Sequence, residues 1–312
     1  MTKKATILQH AGGGMGSQLW NYISAYAYCL ERKIDCENYS FFEFAEFFPE
    51  LAPKNIFIKT IFFLPLSKHG GKRYVFLLET LKIIYSVFVF FIKLTNKDSI
   101  LNYDDANKDS VFYLPPSAEP REINILEKKK VFYFDKKILR NPKGIEKYRN
   151  EITAHFRPNK KIEMDVAKKL SNLRSNYENI IGVHIRQGGY RSFKRGKFFV
   201  DQGHMRTFID QFIEKFKIDI KKTCFYITSD SPLEEKFFSG LCYKIGAGDP
   251  ATELFTLSGT DAIIGSDSHF GSFASYYGNI PHIVCHRSEI DWKYYLDKST
   301  FFHNKYWKIP RG

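Results

Sequence analysis

The feature that most limits the folds open to this chain is the rhythm of its second half. Short apolar runs alternate with amphipathic stretches: strand 180–185, helix 203–217, strand Cys224–Thr228, a helix near 232–238, strand Cys242–Ile245, helix 250–258, strand Ala262–Gly265, helix 271–277 and strand His282–Cys285. Parallel strands need a long crossover, usually a helix, between them, whereas antiparallel strands can be joined by two-residue turns. The pattern therefore predicts an α/β fold with a doubly wound, mainly parallel sheet. Arg157-Pro158 interrupts a helical stretch, Lys143–His155, and offers a boundary between residues 1–157 and 158–312.

The N-terminal part opens like a βαβ unit. Strand Thr6–Gln9 is followed by the cluster Gly12-Gly13-Gly14-Met15-Gly16, then by a helix from Ser17, its N-cap, to Lys33, then by a strand near Ile34–Cys36. Glycines after a strand permit close backbone approach to a ligand, or simply a tight turn. The cluster matches neither G-x-G-x-x-G nor the P-loop pattern. Residues 39–125 are rich in aromatics and irregular, with helices expected around 41–49 and 73–94 and turns at Tyr103–Lys108 and Pro115–Arg121.

In an open parallel sheet ligands bind outside the carboxyl ends of the strands. Polar residues gather there in this chain. His184 and Arg186 follow the first strand, Ser229 and Asp230 the second, and Ser266, Asp267, Ser268 and His269 the fourth. An arginine can hold a phosphate through two parallel charge-assisted hydrogen bonds, and helix N-termini favour anions. Taken singly, Ser229-Asp230 reads as a helix cap and Ser266–Ser272 as a capped turn. Their shared register is what points to a site.

Formal net charge is +13 over 312 residues. Such an excess suits a phosphorylated ligand or an anionic surface. The lysines are scattered and no nucleic-acid motif is present, so a nucleic-acid partner is not expected. The five cysteines include no C-x-x-C pair, which fits reduced thiols in the cytoplasm. No hydrophobic signal segment is visible near the start. The longest apolar run, Ile83–Ile92, is shorter than the roughly 18 residues of a spanning helix and reads as a core helix, or as one lying against a membrane. No D-x-D pair, Ser-His-Asp set or Cys-His set is evident, and His282, Cys285 and His286 make an unconvincing metal set because Cys285 and His286 alternate on a strand.

Three blocks resemble the bacterial α-1,2-fucosyltransferase family. GGMGSQLWNYISAYAYCLERK (13–33) is similar to its GG-M/L-G-N-Q block and the helix that follows. GVHIRQGGY (182–190) is similar to its H-x-R-R-x-D-Y block. FYITSDSPLEE (225–235), with DAIIGSDSHFGSFASYYG (261–278), is similar to its F-S-D and S-T-F-S-x-W-A-A segments. Order and spacing agree over nearly the whole chain, outside residues 40–130. Ser17 stands for the family's Asn, Gly189 for its Asp, and His269 and Phe273 for common residues of the last block.

The resemblance implies a GT-B-like architecture of two α/β domains, with acceptor binding in 1–157 and nucleotide-sugar binding in 158–312. It implies inverting, metal-independent transfer of fucose from GDP-fucose to a hydroxyl, of galactose in the family, within a bacterial surface glycan. Arg186 would contact the donor β-phosphate and His184 would lie beside the donor. Gly14, Gly16, Gln18, Ser229, Asp230, Ser268, His269, Phe270 and Ser272 would help hold the nucleotide. A lipid-linked acceptor would place the protein at the inner face of the membrane. Two other readings stay open: a transferase for another GDP-sugar or linkage, and a sugar-nucleotide binder without turnover.

Overall fold

A computed structural model describes residues 4–8, 14–63, 72–101, 111–128, 132–135, 138–286 and 289–296. Gln9, the Gly12–Gly13 pair and the Tyr103–Lys108 turn lie outside them. The chain divides into two compact units between Asn159 and Lys160.

The N-terminal unit contains β1 (Lys4–Ile7), α1 (Met15–Arg32), β2 (Asp35–Asn38), α2 (Ile56–Phe62), α3 (Lys72–Thr95), β3 (Ile100–Leu101), β4 (Phe112–Tyr113), α4 (Pro120–Lys128), β5 (Tyr133–Phe134), β6 (Leu139–Arg140), α5 (Pro142–Lys147) and α6 (Arg149–His155). Its main sheet is parallel, in the order β2-β1-β5-β3, and β4 pairs with β6 in a second, two-stranded sheet. The expected βαβ unit is thus present, since β1 and β2 pair in parallel across α1.

Helix α1 starts earlier than its sequence suggests. Gly14 is the N-cap, in extended conformation, and Ser17 lies inside the first turn with its N–H bonded to the Gly14 carbonyl at 3.0 Å. Lys33 closes the helix in the left-handed conformation (φ 53°), its N–H returning to the carbonyls of Cys29 and Leu30. Thirteen of the 18 α1 residues are buried, as for a helix covered on several sides. The helix expected around 41–49 is instead two short 3-10 turns, Phe41–Phe44 and Pro49–Leu51. Lys143–His155 is broken into α5 and α6 at Tyr148, and the Pro115–Arg121 turn gives way to α4 at Pro120.

Helix α3 corrects the reading of Ile83–Ile92. The helix has 24 residues, and its stretch Tyr74–Thr95 is long and apolar enough to cross a membrane by length and composition. It is a core helix on one side alone. Tyr74, Leu78, Leu81, Tyr85 and Val89 pack with Phe42, Ile58 and Phe62, and the Tyr85 hydroxyl donates to the Leu8 carbonyl at 2.7 Å.

The C-terminal unit contains α7 (Lys160–Arg174), β7 (Asn179–Ile185), α8 (Gln202–Phe216), β8 (Thr223–Ser229), β9 (Tyr243–Ile245), α9 (Pro250–Ser258), β10 (Ala262–Ser266), α10 (His269–Gly278), β11 (His282–Cys285) and α11 (Trp292–Tyr295). Its five strands are all parallel, ordered β11-β10-β7-β8-β9. The helix expected near 232–238 is a 3-10 turn, Glu235–Phe238. Helix α7 lies outside the elements expected from the sequence, although Ile162, Val166, Leu170 and Leu173 carry a helical spacing.

Side-chain caps set the helix starts. Asp201 accepts from the His204 N–H at α8, Asp249 accepts from Ala251 and Thr252 with Pro250 following at α9, and Ser268 accepts from Gly271 at α10. Ile181, Val183 and Ile185 of β7 share a core with Met205, Phe208 and Ile209 of α8. On the opposite sheet face Gly182 lies under Leu257 of α9, and His184 under Gly271 of α10. A Cβ on Gly278 would come within 1.9 Å of the Ser258 carbonyl oxygen, so α9 and α10 approach through a residue that must lack a side chain.

Candidate active site

Strand order locates the crevice. The chain passes from β7 outward through β8 to β9, then returns to place β10 on the other side of β7 and continues to β11. The direction of winding therefore reverses between β7 and β10. A crevice opens at the carboxyl ends of two strands whose connections leave in opposite directions, and ligands of open α/β sheets bind there.

The residues at that edge form a connected cluster. The Arg186 N–H donates to the Ser266 Oγ at 3.0 Å, tying the end of β7 to the end of β10. The Arg186 guanidinium pairs with Asp230 at the end of β8, Nη1 to Oδ2 at 2.5 Å. It also lies over the Tyr190 ring at 5.6 Å, and the Tyr190 hydroxyl donates to the Asp267 carbonyl at 3.1 Å. Arg186 is 37% exposed, so its fork is held yet open to a ligand.

Asp230 has a different job from the cap that its sequence position suggests. Its carboxylate accepts from the backbone N–H of Gln187 at 2.8 Å and of Gly188 at 3.0 Å, besides the Arg186 pair. Those bonds seat the loop after β7. A Cβ on Gly188 would meet Asp230 Oδ2 at 2.4 Å, so the amide can reach the carboxylate only from glycine. Gly189 sits at φ +76° in the turn closed by Tyr190 N–H to the Gln187 carbonyl. Left-handed backbone at the third turn position favours glycine, which accounts for glycine where the resembling family has aspartate. In this chain the carboxylate beside the arginine comes from β8. Ser229 is occupied locally, its Oγ accepting from the Ser231 N–H at 3.1 Å.

Two buried imidazoles underlie the cluster. His184 is 4% exposed, stacks on Phe270 at 4.9 Å, and shares a 3.2 Å contact from Nδ1 to the Thr228 hydroxyl. Its Nε2 has no partner among the described residues. His282 is 1% exposed and neither of its ring nitrogens has a partner among the described residues. Gly271 lies over both rings: a Cβ there would come within 3.3 Å of His282 and 3.5 Å of His184. Burial lowers the His184 pKa to about 4 and that of His282 to about 3, with the neighbouring imidazole adding to the second shift. Both rings are therefore neutral at pH 7. Sequence reasoning set His282 aside with a weak metal motif; its lone position on an apolar strand gave no hint of the pairing.

Ser268 and Ser272 sit at the N-terminus of α10, Ser268 as its cap and Ser272 buried with its N–H bonded to the Ser268 carbonyl at 3.1 Å. His269 and Phe270 occupy the first helical turn and are half-buried. The helix presents its positive dipole end at the same strand edge as Arg186. Past Tyr190 the loop carries Arg191, Lys194, Arg195 and Lys197, all exposed, with Lys194, Arg195 and Gly196 in left-handed conformations (φ 45°, 58° and 76°). Among the described residues no three His, Cys, Asp or Glu side chains converge as a metal-ligand set.

The structure thus gathers His184, Arg186, Ser229, Asp230, Ser268, His269, Phe270 and Ser272 at one edge of the C-terminal unit. Gly14, Gly16 and Gln18 lie at the start of α1 in the other unit. There Gly14 is exposed, Gly16 is buried, and Gln18 is buried with its Nε2 at 3.4 Å from Glu43 Oε2.

No known family's sequence profile matches the chain, and no curated protein matches it by sequence. Solved structures do. An Arabidopsis thaliana FUT1 mutant in complex with GDP superposes with a TM-score of 0.52 at 13% identity, over 92% of this chain and 72% of that one. The NodZ α-1,6-fucosyltransferase soaked with GDP-fucose gives 0.47 at 14% identity, over 88% and 92%; NodZ is from Bradyrhizobium. POFUT1 in complex with GDP gives 0.47 at 10% identity, over 90% and 98%. The chain is an α/β protein with parallel sheets whose fold is that of the GT-B-like FUT1 structure.

Proposed function

We propose that the protein is a glycosyltransferase that moves fucose from GDP-fucose to an acceptor hydroxyl with inversion. The observation that carries this reading is the placement of Arg186: a partly open guanidinium at the winding reversal, beside the N-terminus of α10, and oriented by a carboxylate on the adjacent strand. The FUT1 structure of like fold, solved in complex with GDP, supports the donor class.

In this reading the acceptor hydroxyl oxygen attacks the anomeric carbon while the bond to the β-phosphate oxygen breaks, and the hydroxyl proton is lost to solvent with no side chain assigned as its base. Negative charge grows on the leaving diphosphate, and Arg186 exchanges part of its Asp230 contact for it. Fixed positive charge aimed at a developing anion is worth more than the same charge in water, because it needs no reorganisation. Arg186 and the α10 dipole supply that charge, so the step is assigned no metal. His184 is neutral and buried, so it contributes shape beneath the donor rather than charge. The basic residues after Tyr190 add to the field that draws an anionic donor.

The acceptor is assigned to a galactose-ended glycan of a bacterial surface polysaccharide, with an α-1,2 linkage, by resemblance of the three sequence blocks. The N-terminal unit is assigned to the acceptor and the C-terminal one to the donor, with the protein cytoplasmic at the inner face of the membrane. Thermal-shift measurements with GDP, UDP, ADP and their sugars test the donor class. A GDP-selective rise supports it, and no rise with any nucleotide overturns it. Product linkage analysis after incubation with GDP-fucose and lactose then tests the reaction, with GDP-mannose as the competing donor.

A further inference from the structure

Helix α3 is apolar on both sides. Its inner stripe, Tyr74, Leu78, Leu81, Tyr85 and Val89, is consumed by the core. Its outer stripe carries Phe76, Ile83, Val87, Phe90 and Leu94, all exposed, with Phe76 at 76% and Ile83 at 68%. Successive positions on a helix advance by 100°, which places these five within about 40° of a single line. From Phe76 to Leu94 the stripe is about 27 Å long at 1.5 Å per residue. On α2, which packs against the inner stripe through Ile58 and Phe62, Ile56 and Phe57 are 80% and 62% exposed. Among the described residues nothing covers this face, and contiguous apolar surface of such extent marks an interaction site.

Charge selects the occupant. Residues 52–97 hold eight lysines and arginines and a single acid, Glu79, a net +7 of the chain's +13. Lys54 pairs with Asp35, Lys82 with Glu79 and Lys93 with Asp135. Lys59 and Lys97 are exposed. Asp35 and Asp135 lie outside that span and neutralise two of its cations, which leaves +5 of the +7, so a second copy of the chain would bring like charge against like. The segment 298–312 is also basic, with four lysines and arginines and no acid, so it too is repelled. An exposed apolar helix face in a basic stretch of chain, with Lys59 and Lys97 exposed, is instead complementary to an anionic bilayer surface, where the side chains enter the acyl boundary and the cations meet headgroups. The inner stripe, with the Tyr85–Leu8 hydrogen bond, keeps the helix on its domain and rules out its spanning the bilayer alone.

We propose that the outer face of α3, with Ile56 and Phe57, is a docking surface that lies in the headgroup region of an anionic phospholipid membrane. This goes further than the membrane contact considered above by naming the face and the lipid chemistry, and it stands whether or not the donor is GDP-fucose.

Co-sedimentation of the full chain with vesicles tests it. The protein binds vesicles of equal parts phosphatidylglycerol and phosphatidylcholine, binds pure phosphatidylcholine far less, and loses binding as salt rises. The triple variant Phe76→Gln, Ile83→Gln, Phe90→Gln replaces outward side chains with good helix formers. It keeps the parent's melting temperature and nucleotide response but partitions at least tenfold less. Lys59→Gln with Lys97→Gln lowers partition roughly fivefold per cation on anionic vesicles. Full recovery in the supernatant with both vesicle types overturns the proposal. So does equal binding of parent and triple variant, or a parent dimer in detergent-free sedimentation that the triple variant converts to a monomer.

Discussion

Acid should destabilise this protein through two identifiable imidazoles. His184 and His282 are buried, three of their ring nitrogens have no partner among the described residues, and their pKa values fall from 6.5 to about 4 and about 3. In the unfolded chain both titrate near 6.5. Between pH 6.5 and about 4 the unfolded state therefore binds more protons than the folded one, and stability rises with pH in that window. It is fully present above the unfolded pKa and is lost as pH falls. From pH 7 to pH 5 each ring accounts for a loss of about 2 kcal/mol, the free energy of protonating the unfolded imidazole, so about 4 kcal/mol for the pair. His282→Leu isolates the effect. An apolar residue replaces a ring with no hydrogen bonds, so stability at pH 7 should hold or rise. Urea unfolding followed by circular dichroism at pH 7 and pH 5 should show the variant losing about 2 kcal/mol less than the parent over that interval. Carboxylates elsewhere contribute equally to both proteins and cancel. An identical acid loss in parent and variant would refute the linkage.

The site makes further predictions. Arg186→Ala should keep the circular dichroism spectrum and lower fucose transfer roughly a hundred- to a thousandfold, the cost of removing one charge-stabilising contact; near-normal turnover would remove Arg186 from the reaction. Asp230→Asn keeps an acceptor for the Gln187 and Gly188 amides but releases the guanidinium, so kcat should fall about tenfold with a stability loss of about 1–2 kcal/mol, checked by steady-state kinetics and urea unfolding. Gly278→Ala drives a methyl into the Ser258 carbonyl and should cost about 1–3 kcal/mol in the same unfolding assay, with the nucleotide response of the folded fraction unchanged.

Much of the C-terminal unit can be read from the chain because its punctuation is local. Asp201, Asp249 and Ser268 are good caps at the positions where α8, α9 and α10 begin, and the intervening runs are apolar enough to admit only buried strands. The N-terminal unit is harder because its aromatics are spread through short turns, and Gly14, which lacks a capping side chain, starts α1 in place of Ser17. Helix α3 has apolar residues on both faces, so its periodicity gives no inner side; only packing reveals which stripe the core takes. Contacts between strand ends leave no trace in spacing. Asp230 sits 44 residues beyond Arg186, and its hold on that arginine and on two amides depends on β8 lying next to β7. The meeting of His184 and His282 likewise depends on β10 lying between their strands and on Gly271 above them.

The carboxylate that fixes Arg186 belongs to a rigid strand end, outside the loop that it steadies. That separation lets two parts of the molecule change at different rates. Substitutions and insertions beyond Tyr190 can reshape what the loop meets without releasing the arginine, because its tether is anchored elsewhere. Drift in that one exposed segment therefore leaves the Arg186–Asp230 pair and the two amides that Asp230 holds in place.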